Sequence, residues 1–268
     1  MKKWFIVSLM SILVAGLLAA CGTSGNDDQA AGNGSGEGNG DKKVLRMGTS
    51  ADYPPFEYID TEKGEEIIGF DIDLAKAITK ELGYELEVQD IDFGSLITAM
   101  DAGNIDLILA GMTPTPEREE QVDFTDIYYT ANHMVVSLKD SKLEKLEDLQ
   151  GKTIGVQLGS IQEEEANKIK EGGVDIKIEN RDRIPQLIQE LKTGRIDAAI
   201  IEDTVIKGYF EKDKDLTGFQ LDTEEGGSAI ALPKDSEMTE EFNRVLNEMK
   251  ENGELDKLII KWFGGEEE

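Results

Sequence analysis

Arg118 lies just past the loop Thr113-Pro114-Thr115-Pro116, and its planar guanidinium suits bidentate capture of a carboxylate. Thr113 offers both a hydroxyl and a backbone N–H to the same region. A second anion site is encoded at Gly159-Ser160-Ile161-Gln162, a strand-to-helix turn whose free amides open a helix. Placed opposite Arg118, that turn would hold the same carboxylate from the other side. The chain has 1 His and 1 Cys. That inventory argues against a zinc site and a Ser-His-Asp triad, and it forbids a disulfide within the chain. No cofactor and no metal are implied.

Strands and helices must deliver these loops, and an internal repeat shows how. Leu96-Ile97-Thr98-Ala99-Met100-Asp101-Ala102-Gly103-Asn104-Ile105-Asp106 answers Leu187-Ile188-Gln189-Glu190-Leu191-Lys192-Thr193-Gly194-Arg195-Ile196-Asp197. Upstream, Lys80-Glu81-Leu82-Gly83-Tyr84 answers Lys170-Glu171-Gly172-Gly173-Val174. Each unit reads helix, Gly stop, strand, helix, Gly stop, strand. Gly103 and Gly194 stand where a helix ends in a left-handed residue. The apolar runs Leu107–Ala110 and Ala198–Ile201 then read as parallel strands buried on both faces.

The pattern predicts two α/β lobes of similar design. Val44–Gly48 opens the first and Thr153–Leu158 the second, with an amphipathic helix over Asp71–Leu82. Helices are expected at Glu237–Glu251 and Glu254–Phe263. Extended runs at Tyr128–Leu138 and Ser228–Leu232 are the candidate crossings. Lobe I is then 44–130 plus 229–268 and lobe II is 134–223, joined by a two-strand hinge at 131–133 and 224–228. His133 falls in the first crossing and reads as a hinge residue. In open α/β sheets ligands bind beyond the carboxyl ends of strands. Ala110-Gly111-Met112-Thr113 and Ile201-Glu202-Asp203-Thr204 should therefore face each other across a cleft.

The N-terminus reads as an address. Lys2 and Lys3 precede an apolar run from Trp4, which ends in Leu18-Ala19-Ala20-Cys21. Positive flank, apolar core and small residues before a cut site describe a secretory signal over 1–20. Cys21 fits a lipobox, lipidated on sulfur as the mature N-terminus. Residues 21–43 supply Gly, Asn, Ser and acidic residues without apolar periodicity, a flexible leash. The net charge of −28 disfavours nucleic acid as a partner and suits a solvated surface.

The chain resembles the polar amino-acid-binding family of solute-binding proteins that serve ABC transporters. The resemblance runs from about Val44 to Gly264. It rests on Gly48-Thr49-Ser50-Ala51-Asp52-Tyr53-Pro54-Pro55-Phe56-Glu57, Gly69-Phe70-Asp71-Ile72-Asp73-Leu74 and Asp92-Phe93-Gly94-Ser95-Leu96-Ile97. It continues in Ala110–Arg118, Val122–Thr125, Gly155–Ser160 and Lys261-Trp262-Phe263-Gly264. The resemblance implies a periplasmic-binding-protein fold that closes like a flytrap on a free polar amino acid. The partners implied are the permease subunits of an ABC importer. The expected setting is a monomer, lipid-anchored outside the cell membrane of a Gram-positive bacterium.

The resemblance also assigns roles. Tyr53 and Phe93 match aromatics that sandwich the ligand's side-chain stem. Arg118, Thr113 and the amides at Ser160, Ile161 and Gln162 match the carboxylate clamp. The family places an Asp for the α-ammonium five residues after the position of Asp197; here that residue is Glu202, followed by Asp203. Glu202 is favoured, with the carbonyl of Gly111 as a second acceptor. Family members specific for cations often carry Asp at the position of Ser50, a departure that Asp52 and Glu57 lie near enough to offset. Two rival readings use the same fold. A dehydratase-like enzyme would need a general acid or base in the cleft, and a sensor would need a separate membrane receptor.

Overall fold

In the computed structural model, which describes residues 43–61, 64–223 and 226–264, the repeated pattern plays one structural role twice. Asp106 accepts the N–H of Arg46 at 2.8 Å and returns its own N–H to the Arg46 carbonyl at 2.7 Å. Asp197 does the same with Thr153, at 2.8 Å in both directions. Each Asp ties the backbone of one parallel strand near its N-terminal end, at Arg46 in Val44–Thr49 and at Thr153 in Thr153–Gln157. A Cβ on Gly48 would lie 2.4 Å from Ile105 and 3.0 Å from Leu96, and one on Gly155 would lie 2.6 Å from Ile196 and 2.8 Å from Leu187. The shared Leu and Ile thus pack directly on the backbone of the strand that their own Asp anchors. Gly103 (φ +69°) and Gly194 (φ +68°) make the left-handed turns between helix and strand.

Two five-stranded mixed sheets result, one in each lobe. The first runs in the order Glu85–Asp90, Val44–Thr49, Leu107–Ile108, Ala231–Pro233, Val122–Phe124. The second runs Lys177–Arg181, Thr153–Gln157, Ala198–Glu202, His133–Leu138, Leu216–Gln220. In both, the first three strands are parallel and the fourth is antiparallel to each neighbour. Phe70–Glu81 packs with Met238–Glu251 and Glu254–Phe263 on the first sheet. Ile161–Glu171, Ile184–Thr193 and Asp203–Lys212 cover the second.

Between the sheets, Tyr129–Ala131 pairs antiparallel with Gly226–Ser228. The expected continuous run from Tyr128 to Leu138 is broken at Asn132. There the Asp203 carboxylate accepts the Asn132 N–H at 3.2 Å, and the Asn132 carbonyl takes the Asp203 N–H at 2.9 Å. The Ser228–Leu232 run is likewise interrupted, because Ala229 bonds the Met112 carbonyl and Ile230 bonds Thr125 Oγ1 instead of a ladder partner. The closing Lys261-Trp262-Phe263 segment docks beside this junction. Trp262 and Lys261 both donate to Asp73, and the Phe263 ring stacks on Tyr129 at 4.1 Å. No helix among the described residues is long and apolar enough to cross a membrane. The signal segment, Cys21 and the leash to residue 42 lie outside the described residues, as do Glu224 and Glu225 of the second crossing.

Candidate binding site

Thr115 caps the short helix Pro116–Glu119 by accepting the Arg118 N–H, with Pro116 in the first turn. This turns the Arg118 side chain inward, where it is 6% exposed. Its Nη1 donates to the Thr113 carbonyl at 2.6 Å, and its Nη2 donates to the Gly159 carbonyl of the other lobe at 2.9 Å. The guanidinium also lies 5.4 Å from the Phe93 ring centroid. No carboxylate among the described residues forms an ion pair with Arg118. Burial accordingly pulls its pKa below the usual arginine value.

From the second lobe, Ser160 caps the helix Ile161–Glu171: its Oγ accepts the Glu163 N–H and donates to the Gln157 carbonyl at 2.7 Å. With that hydroxyl committed, the amides of Ile161 and Gln162 are the first-turn donors without an intrahelical partner. Glu202 ends its strand at the start of the next helix and is 2% exposed. The Tyr53 hydroxyl hydrogen-bonds its carboxyl, while Oε2 has no partner. Burial pushes the Glu202 pKa up to about 8, against the lowering effect of the Tyr53 bond, with Asp203 and Asp71 adding repulsion. Asp203, by contrast, is spent on Asn132 and on the Thr204 N–H at 2.7 Å.

These groups line one cavity between the lobes. All nine residues singled out for ligand contact line it: Tyr53, Phe93, Gly111, Thr113, Arg118, Ser160, Ile161, Gln162 and Glu202. Gly111 (φ +57°) is pinned by its N–H to Asp71 at 2.9 Å, and the Tyr53 ring lies 3.3 Å from where its Cβ would stand. Ser50, Glu57, Ala110 and Gln157 also line the cavity. Glu57 is fully buried, and neither of its oxygens has a partner of good hydrogen-bond geometry. Its carboxyl still lies near enough to Asp71 for each to act on the other. Burial, then Asp71 and Asp52, hold Glu57 well above the ordinary range, and burial raises Asp71 to about 6.

Of the two acids weighed as substitutes at Ser50, only Glu57 faces the cavity. Asp52 accepts the Ile184 N–H at 2.6 Å and the Ser50 hydroxyl at 2.8 Å, and is held beside Arg183. Gln157 went unmarked as a contact because a lone Gln at a strand end carries no distinctive signal. His133 is buried behind the cavity with both ring nitrogens unpartnered, and it pairs in register with Glu202.

The model for bacterial extracellular solute-binding proteins, family 3, matches residues 45–265. The arginine-binding extracellular protein ArtP of Bacillus subtilis (strain 168) is 55% identical, over 99% of this chain and 100% of its own. The crystal structure of the substrate-binding protein of an amino acid ABC transporter is 45% identical, with a TM-score of 0.79 over 83% of this chain and 100% of that one. An ancestral arginine-binding protein bound to arginine is 39% identical, with a TM-score of 0.78 over 83% and 99% of the two chains. An interlobe cavity lined from both sheets agrees with these matches, and the chain belongs to family 3 of the bacterial extracellular solute-binding proteins.

Proposed function

We propose that this protein captures a basic L-amino acid, arginine foremost, and presents it to the permease of an ABC importer. One observation carries the reading: a cavity with one buried guanidinium, Arg118, also holds two buried carboxyls, Glu202 and Glu57, without cationic partners among the described residues. A basic amino acid has the complementary set. Its carboxylate meets Arg118, Thr113 and the Ile161 and Gln162 amides, and its ammonium meets Glu202 and the Gly111 carbonyl. Its distal cation meets Glu57, with the stem between Tyr53 and Phe93. Relatives named for arginine binding support the choice.

The ladder of Tyr129–Ala131 with Gly226–Ser228 is the hinge in this reading, and the monomer closes about it on the ligand. We assign the cavity no catalytic step, and a bound amino acid is recovered unchanged. The screen that tests the ligand is calorimetric titration of the standard amino acids with ornithine and citrulline. Citrulline copies the shape of arginine without its charge, so it should bind at least about tenfold more weakly, since a charge-assisted bond contributes ~1.5–3 kcal/mol. Equal affinities would overturn the assignment of a cationic ligand.

The raised carboxyls give a pH dependence of definite sign. In the closed cavity a proton and a ligand cation neutralise the same groups, so they compete. Affinity for arginine should therefore weaken as pH falls through about 8, where Glu202 takes up a proton. Without ligand the sign reverses for stability. Folding with a raised carboxyl pKa favours proton uptake, so the free protein loses stability as pH rises from the ordinary carboxylate range to about 8. Arginine affinity that stays flat down to pH 5 would remove these carboxyls from the ligand's reach.

The anchor belongs to the same proposal: a lipidated Cys21 and the leash after it hold the body near the permease. Two or more acyl chains anchor firmly where one does not. Cys21→Ser should release or leave unprocessed protein of unchanged ligand affinity. Fatty-acid label that still enters the variant would contradict the lipobox.

A further inference from the structure

The two lobes also meet at Arg183, outside the cavity lining. Arg183, the residue before the helix Ile184–Thr193, reaches across from the second lobe to three carboxylates of the first. Its Nε donates to Asp92 at 2.6 Å, and its Nη1 donates to Asp90 at 2.7 Å and stands 3.5 Å from Asp52. The adjoining Ile184 N–H donates to Asp52 Oδ2 at 2.6 Å. These groups grade outward, with side-chain exposure of 7% for Asp52, 22% for Arg183 and 50% for Asp92.

Both ends of this cluster run back into the cavity wall. Asp52 accepts the hydroxyl of Ser50, and Gln157 donates to the carbonyl of Asp182, the residue before Arg183. Ser50 and Gln157 both line the cavity. Nearby, the backbones approach closely enough to crowd a side chain: a Cβ on Gly94 would lie 3.0 Å from the Leu158 carbonyl oxygen, and one on Gly159 would lie 3.0 Å from Gly94 Cα. Close approach at this edge therefore leaves the Arg183 cluster with little slack.

We propose that Arg183 is a positioning residue of the binding site: by joining Asp52, Asp90 and Asp92 it latches the lobes and holds Ser50 and Gln157 against the distal end of the ligand. The latch acts on the lifetime of the closed state, so it governs ligand release more than encounter. Exposed ion pairs contribute little and are screened by salt. Here the nearly buried Asp52 would lose its cationic partner, which makes removal costlier than for a surface pair.

The ligand-binding part rests on the arginine reading, so the test has an arm that needs no ligand. The Ile184 amide bonds across the lobes, and its hydrogen exchange reports closure in the free protein. Asp92→Asn weakens the latch without altering residue 183 or its neighbours in sequence, and Arg183→Ala removes it. Both variants should exchange the Ile184 amide faster than the wild type, Arg183→Ala by about tenfold, with strand amides inside each lobe unchanged. With arginine, Arg183→Ala should raise the dissociation rate about tenfold at low salt while the association rate holds. High salt should narrow that gap. Unchanged Ile184 exchange in both variants would overturn the latch. So would a dissociation rate for Arg183→Ala within twofold of wild type at every salt concentration. Failure of the wild type to bind arginine would count against the ligand assignment alone, and the exchange result would still decide the latch.

Discussion

Arg118→Ala should cost at least ~100-fold in amino-acid affinity, using ~1.4 kcal/mol per decade, while the protein still folds. A charge-assisted hydrogen bond contributes ~1.5–3 kcal/mol, and Arg118 offers the ligand carboxylate more than one donor. The same guanidinium binds the Thr113 carbonyl in one lobe and the Gly159 carbonyl in the other, so its loss also loosens closure. Glu202→Gln deletes the charge that the proposal sets against the ligand ammonium and should cost a similar amount. Asp203→Asn is the internal control. Its carboxylate serves Asn132 and Thr204 outside the cavity, and an amide oxygen keeps an acceptor for them. Calorimetry of the three variants decides. Near-wild-type binding by Glu202→Gln with collapse for Asp203→Asn would place the ammonium contact one residue further along.

Glu57→Gln should change which ligand wins. The fully buried Glu57 faces the cavity without a hydrogen-bond partner of good geometry, and in the proposal it meets the distal cation. Losing that charge should lower arginine affinity by roughly 10- to 100-fold, at ~1.5–3 kcal/mol for a charged hydrogen bond. Glutamine should be nearly unaffected, because its neutral amide does not need the ionised form. The free variant should also be more stable than the wild type at pH 8, since it lacks a carboxyl whose ionisation burial opposes. Parallel titrations and melting curves give both readings. An equal loss for arginine and glutamine would show that Glu57 does not choose between them.

Much of this molecule is legible in one dimension. The Leu-Ile to Ile-Asp repeat anticipates two similar sheets because the pattern is local: each Asp anchors a parallel strand, and each Leu and Ile cover that strand's glycine. Arg118, Thr113 and the Ser160 turn carry their chemistry in short contiguous motifs, and all reach the cavity. Boundaries were less legible. The crossing runs break at Asn132 and at Ala229-Ile230, where partners distant in the chain claim the backbone.

What the sequence by itself determined is the family architecture and the motifs that line the cavity, because periodicity and motif spacing are properties of neighbours along the chain. Only the tertiary structure decided which charges face the cavity and which bond across the lobes. Asp52 and Glu57 lie five residues apart and look alike as letters. Yet Asp52 bonds the backbone of Ile184, 132 residues away, while Glu57 is buried on the cavity wall. The fate of a carboxylate depends on the solvent it loses and the partner it meets, and both are fixed by contacts between segments that no local pattern records.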